Sequence, residues 1–256
     1  MTNIILTGAC GRMGKVIGAL CAGNDEYRIV AGVDINAASG SLGFPYPVYE
    51  KLDDFEGEAD VIIDFSHHSA IHAIAEYATK NNVALVAATT GYNEEELAVL
   101  KGISEKVPVF YSRNMSLGIN LLIELTKKAT AVLGKKFDIE IVERHHNKKL
   151  DAPSGTALML ADAAAETMGT DPEYVYDRQS VRRARSDNEI GIHSVRGGSI
   201  VGDHEVAFCG QDEVISLSHS AYSRDVFAEG ALSAAAFVSG KPAGMYDMSG
   251  LISSVL

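Results

Sequence analysis

Cysteine is scarce in these 256 residues. Cys10, Cys21 and Cys209 are the full complement, an odd number without CxxC spacing. That excludes a disulfide framework and a zinc knuckle and points to a reducing compartment. Long apolar runs are missing too: none reaches the roughly 18 residues a membrane span needs. The opening MTNIILTGAC carries no positive n-region, so a cytoplasmic location with no membrane role is expected. Positive charge is in short supply, with 22 Lys and Arg against 34 Asp and Glu and a formal net charge of −12. Such a field repels phosphate backbones, and a nucleic-acid partner is not expected. There is no internal repeat and no low-complexity tract. What remains is ordinary globular composition, 46% hydrophobic and 22% charged, in a chain long enough for about two domains. Glycine, at 24 residues, is in mild excess and suggests tight turns or close backbone approaches to a ligand.

Along the first 111 residues short β-branched runs alternate with helical patterns. Strands are expected at Asn3 to Thr7, Ile29 to Val33, Val61 to Phe65, Val83 to Ala88 and Val107 to Tyr111. Helices are expected at Arg12 to Ala22, Ala70 to Lys80 and Glu94 to Ser104. Near-continuous apolar strands between helices imply an α/β domain of Rossmann type, a doubly wound parallel sheet covered on both faces. After Asn114 the rhythm changes. A long helix at Leu117 to Leu133 precedes a strand at Asp138 to Glu143 and a helix at Ala157 to Met168. Strands at Gly191 to Arg196, His204 to Phe208 and Glu213 to His219 then follow one another without intervening helices. This second part reads as an α+β domain with a mixed sheet, for substrate binding and oligomerisation. The expected division is 1–116, 117–225, and a segment 226–256 whose helical pattern, Phe227 to Val238, returns to the first domain.

Directly after the first strand stands Gly8-Ala9-Cys10-Gly11-Arg12-Met13-Gly14. Its GxxGxxG spacing departs from the strict dinucleotide fingerprint but keeps its logic: a tight turn, close backbone approach to a pyrophosphate, and a helix N-terminus facing it. By itself such a turn can be purely structural. Asp34 ends the second strand where a ribose-binding acid belongs. Later strand ends carry Ala88-Thr89-Thr90-Gly91 and Ser112-Arg113-Asn114-Met115. Taken singly these read as helix caps, but together they share the carboxyl edge where α/β sheets bind ligands.

The densest cluster of chemistry is Glu143-Arg144-His145-His146-Asn147-Lys148-Lys149-Leu150-Asp151-Ala152-Pro153-Ser154-Gly155-Thr156-Ala157. Two histidines and several cations in an acidic chain make a local positive well that can bind an anion and move a proton near neutral pH. Ser154-Gly155-Thr156 reads as a helix start whose free N–H groups can clasp a carboxylate. Two anion devices in tandem suggest a small dicarboxylate. No metal is expected: His145 and His146 are adjacent, no Cys lies near, and neither HxH nor HExxH spacing occurs. The arginines at 178, 182, 183 and 185 read as a solvated connection.

GACGRMG, ERHHNKKLDAPSGTA, RGGSIVGDHEVAF and SHSAYSRDVFAEGAL together resemble the 4-hydroxy-tetrahydrodipicolinate (dihydrodipicolinate) reductase family of lysine and diaminopimelate biosynthesis, over essentially the whole chain. The resemblance implies hydride delivery from NAD(P)H to ring carbon C4 of a cyclic imine dicarboxylate, with loss of water. It implies that His145 is a proton donor/acceptor and Lys149 a second proton donor, with His146, Gly155 and Thr156 binding substrate. It assigns cofactor contacts to Gly8, Ala9, Cys10, Gly11, Arg12, Met13, Asp34, Ala88, Thr89, Thr90, Ser112, Arg113, Asn114 and Met115. Ala88 departs from the family's usual glycine. A homotetramer is implied as well. NADH is expected over NADPH, because Asp34 would repel a 2′-phosphate and Ile35 stands where an arginine would pair with it. Other readings are a different NAD(P)-dependent dehydrogenase of a small amino-acid or semialdehyde substrate, and a nicotinamide-sensing regulator.

Overall fold

The computed structural model describes residues 1–37, 43–180 and 182–255. The chain forms two compact units, Met1–Leu117 with Arg224–Leu256, and Gly118–Ser223.

The first unit is built on a sheet of seven parallel strands: β1 (Thr2–Thr7), β2 (Tyr27–Val33), β3 (Val48–Tyr49), β4 (Val61–Asp64), β5 (Ala84–Ala87), β6 (Pro108–Tyr111) and β12 (Gly244–Tyr246). Their order is β12-β6-β5-β4-β1-β2-β3, so the winding reverses between β1 and β4, the doubly wound arrangement whose ligand crevice lies at that reversal. Side-chain alternation feeds two cores. Ile4, Leu6, Val61, Ile63, Val86 and Phe110 face α1 (Arg12–Cys21) and α6 (Asp225–Val238). Ile5, Ile62, Leu85 and Val109 face α2 (Ile71–Asn81) and α3 (Glu94–Ser104). Helix α6 is alanine-rich on its buried side, and at Gly230 a Cβ would overlap the carbonyl of Met115. The short α7 (Met248–Ser253) closes the unit.

The second unit has five strands: β7 (Asp138–His145), β8 (Glu173–Val175), β9 (Glu189–Arg196), β10 (Gly202–Cys209) and β11 (Val214–Ala221), in the order β11-β10-β7-β9-β8. β7, β8 and β9 run parallel while β10 is antiparallel to β7 and β11, giving the mixed sheet expected of strands without intervening helices. Helices α4 (Leu117–Leu133) and α5 (Gly155–Met168) cover one face through Leu122, Ile123, Ala157, Leu160 and Ala164. Among the described residues no helix is long and apolar enough to cross a membrane.

Three expectations need correction. The strand expected to stop at Glu143 continues to His145, so Arg144 and His145 are strand positions rather than loop. The arginine-rich stretch is exposed at Arg178, Arg182 and Arg183, as a solvated connection should be, but it is tied down by ion pairs. Arg178 and Arg185 pair with Glu140 and with the buried Glu189, and Arg185 also reaches Asp138. Short elements β3, β8, β12 and α7 carried too few residues to show a period.

Candidate active site

In the second unit the chemistry grows out of strand alternation. Along β7 the buried positions are Ile139, Ile141, Glu143 and His145, so the core-facing stripe turns from apolar to ionisable over its last two members. Register extends this into a layer. Glu143 lies beside Ser194 of β9 and His204 of β10, and His145 lies beside Arg196 of β9. Glu143, with no exposed surface, accepts from His145 Nδ1 at 2.6 Å and from Arg196 Nη1 and Nη2 at 2.7 Å each. It also accepts the backbone N–H of Ser154 at 3.1 Å. Burial by itself would raise its pKa. The hydrogen bonds from Arg196, His145 and Ser194 outweigh that and hold the carboxyl down at about 2, so Glu143 is an anion.

Ser154 N-caps α5, its Oγ accepting from Ala157 N–H at 3.2 Å and meeting His204 Nε2 at 3.0 Å. His204 packs edge-on against His145 with ring centroids 5.1 Å apart. Burial pushes its pKa down to about 3, with the neighbouring His145 adding to the effect, so His204 is neutral and adds no charge to the layer. The segment between β7 and α5 carries the expected binding groups. Lys149 Nζ sits 2.9 Å from Asp151 Oδ1, and Arg196 Nη2 donates to the Asp151 carbonyl at 2.7 Å. Nδ1 of His146 is buried with no partner among the described residues, a polar atom left for a ligand. Gly155 and Thr156 open α5, and a Cβ at Gly155 would meet only open space, leaving room for an anion over the helix start.

In the first unit the expected cofactor residues gather at the carboxyl ends of the strands. Gly8 has φ +73°, and a Cβ there would overlap the Phe65 carbonyl. At Gly14 it would overlap the carbonyls of Gly8 and Ala9. These two glycines let the turn fold tightly against β4 and α1. Gly11 occupies the N-cap of α1 with no side-chain cap and no acid in the first turn, which leaves the positive helix end for an anion. The turn therefore fits a pyrophosphate. Asp34 is already engaged: its oxygens accept the N–H groups of Cys10 and Asn36 at 2.9 Å each, tying the strand end to the glycine turn. A cleft of about 390 Å³ brings together Arg12, Met13, Ala88, Thr89 and Thr90 with Ser112, Arg113, Asn114 and Met115. Gly8, Ala9, Cys10, Gly11 and Asp34 stand outside its lining.

Several residues were not singled out from sequence. Phe65, Ser66, Arg224 and Phe227 also line the cleft. Beneath it, buried Asp64 accepts from the hydroxyls of Thr7, Ser66 and Tyr92. In the second unit Glu143, Arg196 and His204 were passed over as strand residues. A signal existed for two of them: ionisable side chains at the buried parity of β7 and β10, where Glu143 and His204 face each other across the pairing.

Two family signatures match the chain, "Dihydrodipicolinate reductase, N-terminus" over residues 2–115 and "Dihydrodipicolinate reductase, C-terminus" over residues 118–252. The 4-hydroxy-tetrahydrodipicolinate reductase of Caldanaerobacter subterraneus subsp. tengcongensis is 52% identical over 252 residues, 98% of each chain. That of Clostridium tetani is 46% identical over 99% of this chain and 98% of its own. Among solved structures, a dipicolinate-bound dihydrodipicolinate reductase from Paenisporosarcina sp. TG-14 aligns with a TM-score of 0.80 at 27% identity, over 96% of this chain and 97% of that one. With both signatures present and relatives this similar along nearly its whole length, the chain belongs to the dihydrodipicolinate reductase family of NAD(P)-dependent oxidoreductases.

Proposed function

We propose that the chain reduces 4-hydroxy-tetrahydrodipicolinate to tetrahydrodipicolinate in lysine and diaminopimelate biosynthesis, with His145 as the acid and the segment up to α5 as the dicarboxylate cradle. The observation that carries the reading is the juxtaposition, within one unit, of the buried His145–Glu143 pair, held by Arg196, with Lys149, His146 and the N-terminus of α5. The net reaction takes up one hydride and one proton and releases water. Bound NAD(P)H supplies the hydride.

Gly11, Arg12 and Met13 at the uncapped start of α1 hold the pyrophosphate in this reading, and Thr89, Thr90 and Ser112 to Met115 hold the remainder. His145 supplies the proton demanded by the extra electron density on the reduced ring. Lys149 neutralises one carboxylate or serves as an alternative donor of that same proton; to do so it must exchange Asp151 for substrate. His146 and the N–H groups of Gly155 and Thr156 take the other carboxylate. NADH is preferred, since Asp34 faces the ribose position and Ile35 is 87% exposed, with no Lys or Arg from Ile35 to Glu50. Arg12, in the cleft lining, keeps NADPH usable. The three free cysteines suit a cytoplasmic enzyme, and the family resemblance supports a homotetramer.

Calorimetric titration with pyridine-2,6-dicarboxylate tests the cradle. The parent protein is expected to bind it and Lys149→Ala to bind it at least tenfold more weakly; equal affinity would sink the assignment.

A further inference from the structure

Glu143 touches none of the groups assigned to substrate, yet, fully buried, it accepts hydrogen bonds from His145, from Ser154 N–H and from both terminal nitrogens of Arg196. We infer that Glu143, clamped by Arg196, is a positioning residue: it holds the Nδ1 proton of His145, so that Nε2 is the atom that passes the catalytic proton. The inference rests on the reading of His145 as the acid.

The geometry leaves little freedom. Glu143 and His145 are two residues apart on the same face of β7, with Nδ1 2.6 Å from Oε2. An ionised carboxylate only accepts, so the hydrogen on that contact belongs to Nδ1. The other carboxylate oxygen takes Ser154 N–H and Arg196 Nη2, which fixes the plane of the group. Arg196 serves a second purpose. Its two guanidinium N–H groups fix the carboxylate in place, so Glu143 presents one defined oxygen to the imidazole. Through the Asp151 carbonyl it also fixes the segment bearing Lys149. At the far side of the ring stands Gly202, where a Cβ would come within 3.1 Å of His145 Nε2. Glycine there keeps the space beside Nε2 free of side chain. The charged and titratable groups around His145 are therefore Glu143 on β7, Arg196 on β9, neutral His204 on β10, and the Lys149–Asp151 pair on the connecting segment.

The first test needs no substitution. Long-range ¹H–¹⁵N correlation on histidine-labelled protein, at a pH where His145 is neutral, is expected to show the Nδ1–H tautomer, against the Nε2–H preference of free imidazole. An Nε2–H tautomer would overturn the inference. In steady-state kinetics Glu143→Gln should lower kcat about 10- to 100-fold with KM within about threefold, and move the limb of the kcat profile that reports the acid to lower pH. Should the single variant not fold, Glu143→Gln combined with Arg196→Met removes both charges together, and the same kcat loss is expected. A parent-like kcat and pH profile in either variant contradicts the role of Glu143. His145→Ala separates the two levels. If it keeps kcat, the reading of His145 itself fails. If it loses kcat while Glu143→Gln does not, only the positioning role fails.

Discussion

His145 is 8% exposed, and its ring is oriented by the 2.6 Å contact of Nδ1 with Glu143. Its substitution by alanine is expected to lower kcat by about 100-fold or more with a smaller change in KM, measured by steady-state kinetics over pH 6 to 8. Lys149→Ala should raise KM and lower kcat together, because one ammonium serves both binding and proton supply. At the other end of the reaction, Ile35→Arg places a guanidinium next to Asp34 on an exposed position and should shift the NADPH/NADH ratio of kcat/KM toward NADPH by about tenfold or more. An unchanged ratio would mean that Arg12 already governs the 2′ position. Glu143 and Arg196 differ from these in kind. Arg196 is about one-fifth exposed while Glu143 is fully buried, so Arg196→Ala strands a buried carboxylate, a loss of about 3–5 kcal/mol, and reports folding more than catalysis.

Local pattern carried most elements. Helix α4 was legible at both ends, because the apolar recurrence runs unbroken between Leu117 and Leu133. The parallel sheet was legible because its strands read as continuous apolar runs. The second sheet hid its functional layer for a different reason: the apolar members of the buried stripe of β7 stop at Ile141, and the stripe continues with the ionisable Glu143 and His145. Parity alone places Glu143, His145 and His204 in the interior, but pairing partners 50 or so residues away decide it, and these are not local. Asp34 was legible as an acid at the right distance, though not its bond to Cys10 N–H. At the start of α5, Ser154→Ala removes the cap of Ala157 N–H and the partner of His204 Nε2. A destabilisation of about 1–3 kcal/mol is expected in urea unfolding, larger than loss of a cap alone. In the glycine turn, Gly14→Ala drives a methyl into two carbonyls and should abolish cofactor binding before it abolishes folding of the second unit.

For the whole molecule, acid stability follows from two buried groups. His204 drops from an ordinary 6.5 to about 3 on folding, so the unfolded chain binds a proton that the folded chain refuses. The stability this contributes is complete above pH 6.5 and declines as pH falls toward 3, by at most about 1.4 kcal/mol per pH unit. Glu143, lowered from 4.5 to about 2, contributes stability that is present above pH 4.5 and lost as pH falls toward 2. The melting temperature should therefore fall between pH 6.5 and 4.5 in the parent and stay flatter in His204→Gln; identical slopes would refute the assignment to His204. Edge strand β11 exposes Val214 and Ile215, and a homotetramer joined through the second unit is expected in sedimentation equilibrium, where a monomer would contradict it.

Hydride transfer to the ring is read most directly by isotope. The protein is supplied with 4-hydroxy-tetrahydrodipicolinate and NADH carrying deuterium at nicotinamide C4 in the transferable position, and the product is analysed by NMR. One deuterium at C4 of tetrahydrodipicolinate, formed at the rate of NADH loss, is the predicted result. NADH loss without label in the ring, or no loss at all with either reduced nicotinamide, would contradict it.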